Sequence, residues 1–157
     1  MPTNLYGPGD NYDLNNSHVL PALIRKMHEA RLRGDSEMVV WGTGTPRREF
    51  LYSNDMADAC VYLMNLSDEK FVSLMSENIA PLVNIGCGTD LSILELAELV
   101  KGVVGFDGKI VFDISKPDGT PRKLLDVGKL GQLGWKAKTG LQEGIRLAYM
   151  DYLETAR

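Results

Sequence analysis

The chain has 157 residues, 44% of them hydrophobic and 24% charged, a composition that indicates a globular domain with a hydrophobic core rather than a disordered tail. Its formal net charge of −4 argues against a broad basic surface for nucleic acid or anionic lipid. Short apolar runs and an N-terminal segment without a secretory signal pattern predict a cytoplasmic protein that does not cross a membrane. Cys60 and Cys87 lack the close Cys/His spacing of a zinc site, so we predict neither a metal nor a disulfide.

The first predicted helix begins after Ser17, the expected N-cap, and ends at Gly34. Its apolar residues recur with a period near 3.6: Val19, Leu20, Leu23, Ile24, Met27 and Ala30. Segments rich in β-formers predict strands at 38–41, 49–52, 82–85 and 109–113. Further helices are predicted at about 54–66, from the Ser92/Glu95 capping box through 103, after 126, and from about 139 to 153. Because no repeat or linker divides the pattern, it predicts one mixed α/β domain over 1–157.

Two glycine-rich stretches, 42–44 and 86–88, each follow a predicted strand. Both lack the third glycine of a dinucleotide-binding fingerprint, and the first leads to a strand instead of a helix. The pattern therefore favours turns at strand ends.

Arg47 and Arg48 follow the first of these turns and could supply anion-binding donors. Alternation along a strand sends them to opposite faces, so at most one is expected to enter a given pocket. Trp41, just before the turn, has a flat face suited to stacking on a base or sugar. A buried tryptophan beside two solvated arginines is equally compatible with the residues alone.

The polar segment 116–123 is typical of a surface loop, either an ordinary connection or a binding loop in which Asp118 accepts hydrogen bonds from a ligand. His18 opens the first helix and is a candidate for proton transfer, although a lone histidine is more often structural. His28 falls on the polar side of the same helix and is assigned no role.

Five segments together resemble, in order and spacing, the C-terminal half of the GDP-L-fucose synthase family. They are PTNLYGP (2–8), NSHVLP (16–21), WGTGTPRREF (41–50), NIGCG (84–88) and KPDGTPRKLLD (116–126). Members of that family are NADP-dependent 3,5-epimerase/4-reductases of the extended short-chain dehydrogenase/reductase superfamily. The resemblance covers essentially the whole chain. It implies a small mixed α/β substrate-binding domain without the Rossmann glycine motif.

The resemblance also implies site residues. The family segment that passes under the nicotinamide end of NADP corresponds to Pro2, Thr3, Asn4 and Leu5. His18 matches the histidine that acts as acid/base in the epimerisations and lies close to the cofactor, whereas Cys87 does not match the family's catalytic cysteine. The positions that contact the GDP-sugar correspond to Lys26, Trp41, Arg48 and Asp118. Lys26 stands where some relatives carry arginine, so a bidentate clamp becomes a single charge.

The resemblance also implies that the family's Tyr-x-x-x-Lys pair and NADP-binding fold belong to an N-terminal half. None of the six tyrosines here is followed four residues later by lysine, so we expect this chain to lack that half. We therefore expect a chain that binds a GDP-sugar, binds NADP weakly at most, and is inactive alone. The alternative is a stand-alone nucleotide-sugar-binding or assembly domain that docks with a separate Rossmann half. In either case an apolar face around Leu5, Tyr6 and the first helix is expected to be exposed and to cause weak self-association.

Overall fold

Residues 1–74 and 82–155, which the computed structural model describes, form a mixed α/β fold, as the sequence pattern predicts. Within them the helices are α1 (Val19–Arg33), α2 (Ser53–Met64), α3 (Asp68–Ser73), α4 (Ile93–Val104), α5 (Gly128–Leu133) and α6 (Leu141–Thr155). The strands are β1 (Asn4–Tyr6), β2 (Glu37–Trp41), β3 (Arg47–Arg48), β4 (Phe50–Tyr52), β5 (Leu91–Ser92), β6 (Lys109–Asp113) and β7 (Arg122–Lys123). No helix among these residues is long and apolar enough to span a bilayer.

The strands form three small sheets. β1 pairs with β4 and β2 pairs with β6, both in parallel, so that Trp41 lies opposite Asp113 at the end of the second pair. β3 is the middle strand of the third sheet, antiparallel to β5 and parallel to β7. The loop after β2 therefore connects two different sheets, and the predicted ligand contacts Trp41 and Arg48 lie at its two ends.

The main hydrophobic core lies between α1, α4 and α6 and the buried sides of β2 and β4. Its completely buried side chains include Leu20, Ile24, Met27, Leu96, Val100 and Ile145. A second cluster joins α2, β4 and α5 through Leu51, Ala59, Ile85, Leu130 and Trp135. Tyr6 is only 2% exposed and belongs to the main core, so its predicted place in an exposed apolar face is wrong, whereas Leu5 is exposed.

The start of α1 differs from the prediction. Its N-cap is His18, not Ser17, and the His18 side chain makes no capping hydrogen bond. Residues 13–17 form a turn in which the Ser17 N–H donates to the Asp13 carbonyl oxygen at 2.7 Å. This turn puts Ser17 one residue before the cap, with its hydroxyl buried and, among the described residues, without a hydrogen-bond partner. His18 consequently stands at the positive end of the helix.

Other boundaries differ locally. The predicted strand 82–85 is reduced to a single bridge between Ile85 and Pro2. α2 ends before Asn65, whose side chain donates to the Val61 carbonyl oxygen, as a residue that competes with helical hydrogen bonds is expected to do. The short helix α3 was not predicted, although its signal is in the sequence: Ser67 caps it and acidic residues fill its first turn.

Glu49 lies between β3 and β4 and is completely buried. Its Oε1 accepts the Gly88 N–H at 2.7 Å and its Oε2 accepts the Leu125 N–H at 3.1 Å. Its carbonyl oxygen accepts the Thr3 hydroxyl and the Asn4 side-chain amide. One residue thus ties the segment before β4 to the N-terminal segment, the 86–88 turn and the segment after β7.

We predict that Glu49→Gln destabilises the chain, because one buried backbone N–H would then face an amide NH₂ group instead of a carboxylate oxygen. A hydrogen bond to a charged group contributes roughly 1.5–3 kcal/mol, and we expect a loss of that order in the free energy of unfolding, measured with urea. Glu98→Gln, on the exposed side of α4, is the matched control and should change the free energy little. Equal effects of the two substitutions would contradict the structural role of Glu49.

Candidate functional site

The residues predicted to contact a GDP-sugar come together in one cavity of about 310 Å³, which we call the Trp41 cavity. Lys26 comes from α1, Trp41 from the end of β2, Arg48 from β3, and Asp118 from the loop between β6 and β7. Apolar residues complete the wall: Leu14, Val19, Ala22, Leu23, Val40 and Ile93. Cations and an aromatic face are therefore set against an apolar wall, an arrangement that can hold an anionic aromatic ligand.

Trp41 is 62% exposed, so the interpretation of a buried tryptophan beside two solvated arginines is wrong. The Lys26 ammonium lies 5.0 Å from the centroid of the indole ring, within the range of a cation–π contact. Partial burial lowers the pKa of Lys26. Desolvation of this kind makes an ammonium group a better electrostatic partner for a phosphate oxygen.

Arg47 and Arg48 are directed to different surroundings. Arg47 donates from Nε to Asp90 Oδ1 at 3.0 Å and also forms an ion pair with Glu95 at 3.4 Å. Arg48 donates from Nη1 to the Arg47 carbonyl oxygen at 2.8 Å and lines the Trp41 cavity. The ion pairs of Arg47 thus hold β3 in place, whereas the Arg48 side chain lies in the wall of the Trp41 cavity.

Lys123 is a further cation near Arg48 that the sequence pattern does not reveal. It pairs with Arg48 in the parallel register between β3 and β7, and in-register neighbours point to the same side of a sheet. Arg122 pairs in the same way with Arg47, and its Nε donates to Asp90 as well. Because 122–123 was predicted to be loop, the pairing that places Lys123 beside Arg48 could not be seen from the sequence.

Asp118 fastens its loop to the turn after β2. Its Oδ1 accepts the Thr43 N–H and its Oδ2 accepts the Thr43 hydroxyl, both at 2.7 Å. Gly42 has a φ of 83°, and a Cβ there would collide with the Asp118 carboxylate, so the turn needs glycine for two reasons. Asp118 therefore lines the cavity while also fixing its shape.

A second cavity, of about 630 Å³, contains the residues predicted to lie near the cofactor. Its walls include the segment Pro2 to Leu5, the exposed His18 and also Arg48. We call it the His18 cavity. Because Arg48 and Val19 line both cavities, the two predicted subsites are neighbours that meet at the Arg48 side chain.

A third cavity, of about 700 Å³ and larger than both of these, holds none of the predicted site residues. It is a groove between residues 86–91 and 127–141 and has Cys87 in its wall, where the thiol donates to the Phe50 carbonyl oxygen at 3.4 Å. The cations and the exposed aromatic ring instead gather in the smaller Trp41 cavity, which we regard as the ligand site on chemical grounds. In the two described parts of the chain, no cluster of His, Cys, Asp or Glu is arranged to hold a metal ion.

His28, which was assigned no role, does not lie on a purely polar face. Its Nδ1 is 2.9 Å from the Tyr149 hydroxyl, and its ring packs edge-on against Tyr152. Burial lowers the pKa of His28. The residue joins α1 to α6 and lies outside both predicted subsites.

Residues 1–78 match the NAD dependent epimerase/dehydratase family. The chain is 54% identical over 154 residues to GDP-L-fucose synthase 1 of Arabidopsis thaliana, which covers 98% of this chain and 45% of that protein. It is 51% identical over 157 residues to GDP-L-fucose synthase of Escherichia coli K12, covering 98% of this chain and 48% of that protein. The chain is similar to the GDP-L-fucose synthases over nearly its whole length. It matches their C-terminal part and spans a little under half the length of these relatives.

A comparison with a solved structure gives a match of similar extent. A GDP-L-fucose synthetase from Naegleria fowleri bound to NADP matches with a TM-score of 0.83 and 32% sequence identity, covering 99% of this chain and 46% of that chain. The resemblance identified from five sequence motifs is therefore confirmed, as is the fold class.

The ion pairs behind β3 lead to a prediction on pH dependence. The Asp90 side chain is only 5% exposed, and hydrogen bonds from Arg122 and then Arg47 lower the pKa of its carboxyl. A carboxyl whose pKa falls on folding adds stability above its unfolded pKa of about 3.9 and loses that contribution as the pH drops through the folded pKa.

We therefore expect Asp90→Asn to lower the melting temperature at pH 7 and the difference from the parent chain to shrink as the pH is lowered below about 4. Thermal unfolding of both proteins across this range measures the effect. A difference that is constant with pH would contradict the role assigned to the Asp90 carboxylate.

Proposed function

We propose that this chain is the GDP-sugar-binding domain of an enzyme like GDP-L-fucose synthase, which converts GDP-4-keto-6-deoxy-D-mannose to GDP-L-fucose with NADPH. The observation that carries the proposal is the Trp41 cavity. Four residues separated by up to 92 positions, which the resemblance assigns to GDP-sugar contacts, line one cavity of about 310 Å³. As in the sequence analysis above, the protein is predicted to act in the cytoplasm.

Each wall of the Trp41 cavity suits a different part of a nucleoside diphosphate sugar. The exposed indole of Trp41 offers a face for a base or ribose, and Arg48 offers a planar group that can donate two hydrogen bonds to phosphate. Lys26 adds a second, partly desolvated positive charge. The sugar would then extend past Arg48 into the His18 cavity, since that residue lines both cavities.

The resemblance assigns the walls of the His18 cavity to the nicotinamide end of NADP, and the described walls contain no glycine-rich loop for the pyrophosphate. The residues that would hold the nicotinamide end are Pro2, Thr3, Asn4 and Leu5. NADPH, when bound, supplies the hydride for reduction at C4. Tight binding of the whole cofactor therefore needs residues from another part of the enzyme.

His18 is a group in this chain that can exchange a proton with the sugar. It is exposed at the N-terminus of α1 and lines the His18 cavity, into which the sugar would extend. Epimerisation next to a C4 ketone requires removal of a proton from one face and return of a proton to the other, and imidazole can do either near neutral pH. One histidine serves one face, and the resemblance assigns the second acid/base group to the N-terminal half of the family, so this chain alone is expected to be inactive in epimerisation.

The test is calorimetry of GDP binding to the parent chain and to Arg48→Ala. Loss of one charge-assisted contact, worth roughly 1.5–3 kcal/mol, should weaken binding about tenfold to hundredfold. Arg47→Ala should weaken binding far less once folding has been verified, since Arg47 contacts Asp90 and Glu95.

Arg33→Ala is the matched control at the far end of α1, about 20 Å from the helix start, and should leave GDP binding unchanged. A folded parent chain that does not bind GDP, or equal losses in the Arg48 and Arg33 variants, would contradict the proposed site.

A second experiment separates the two functional hypotheses. The purified chain should not oxidise NADPH in the presence of the ketosugar. Addition of an N-terminal NADP-binding half should restore turnover if the chain is part of an enzyme. Retained GDP-sugar binding without turnover in the reconstituted mixture would favour a binding or assembly domain.

A further inference from the structure

A second lysine, Lys116, lies at Trp41. It opens the 116–126 segment that carries the resemblance, but neither the resemblance nor the predicted site gives it a role. The Lys116 ammonium is 5.5 Å from the centroid of the Trp41 ring, close to the 5.0 Å distance of Lys26. Two positive charges are thus held at one exposed indole, beside a cavity that already has Arg48 in its wall.

The loop that carries Lys116 is fixed on both sides of the residue. The Lys116 N–H donates to the Asp113 carbonyl oxygen at 3.2 Å, and the same oxygen accepts the Gly42 N–H at 2.9 Å. Two positions later, Asp118 accepts two hydrogen bonds from Thr43. The main chain is therefore anchored at Trp41, while the Lys116 side chain is exposed and free to reorient.

Positive charge exceeds negative charge around Trp41. Lys26, Lys116 and Arg48 lie at the ring or its cavity, against the carboxylates of Asp113 and Asp118, which accept hydrogen bonds from Ser115 and Thr43. In residues 1–74 and 82–155, neither Lys26 nor Lys116 forms a salt bridge, whereas Arg47 and Arg122 share Asp90. The ammonium groups of Lys26 and Lys116 repel each other at this ring. The attraction of both groups to a bound anion would outweigh that repulsion. A cation–π contact at an exposed ring is worth only about 0.5–1 kcal/mol, so a phosphate can draw the lysine away from the indole.

We propose that Lys116 is a phosphate-binding residue of the Trp41 cavity. In the unliganded chain it lies over the indole; when a nucleoside diphosphate binds, it leaves the ring and pairs with a phosphate oxygen. The inference rests on the proposed function. It adds a residue to the site and gives the 116–118 loop a role in recognising the charge of the ligand.

The experiment compares GDP with guanosine, which has the same base and ribose and no phosphate. Lys116→Gln removes the charge and is expected to weaken GDP binding about threefold to tenfold, the range for a partly exposed charged contact. Guanosine binding should stay within about twofold. Lys116→Arg, which keeps a positive charge, should retain most of the GDP affinity.

Lys109→Gln is the matched control. It makes the same change at the other end of β6, roughly 13 Å along the strand from Asp113, and should not affect either ligand. Equal weakening of GDP and guanosine by Lys116→Gln, or a GDP effect no larger than that of the Lys109 variant, would overturn the assignment of Lys116. A parent chain that binds neither ligand would instead overturn the proposed function, and the Lys116 role with it.

Discussion

The buried Glu49 carboxylate is the constraint on which the site depends. It lies between β3 and β4, and its two oxygens hold the 86–88 turn and the segment after β7. Its carbonyl oxygen accepts hydrogen bonds from the Thr3 hydroxyl and the Asn4 side-chain amide. A buried carboxylate is costly unless its hydrogen bonds are made, so these segments can adopt few other arrangements without unfolding. Arg48, the neighbour of Glu49, is thereby placed between the two cavities.

The two-residue strand β3 separates positive charges by function. On one side Arg47 and Arg122 converge on Asp90, which satisfies them within the protein. On the other side Arg48 lines the cavity, and Lys123 is its register partner on β7. Strand alternation alone produces this division: one pair of cations stabilises the sheet and the other pair is available to a ligand. The two hydrogen bonds between Thr43 and Asp118 hold the loop after β6 against the same cavity.

Local patterns in the sequence predicted α1, α4, α6, β2 and β6 well. The three helices have clear apolar periodicity, and the two strands are short runs of β-formers next to a glycine, Gly42 after β2 and Gly108 before β6. The four GDP-sugar positions came from the resemblance, and the structure brings them together. What the sequence did not show depends on pairing between distant segments: the β3–β7 register that places Lys123, the burial of Tyr6, and the reduction of 82–85 to one bridge. Single-residue propensities contain no information on which partner a short strand selects.

The central claim is that a nucleotide binds in the Trp41 cavity and not in the larger groove near Cys87. Titration of the ¹⁵N-labelled chain with GDP, followed by amide chemical shifts, measures this directly. The account predicts that the largest changes lie in three segments that surround the Trp41 cavity, at about 17–26, 41–48 and 116–123. Changes concentrated instead at 86–91 and 127–141, the walls of the larger groove, would contradict it.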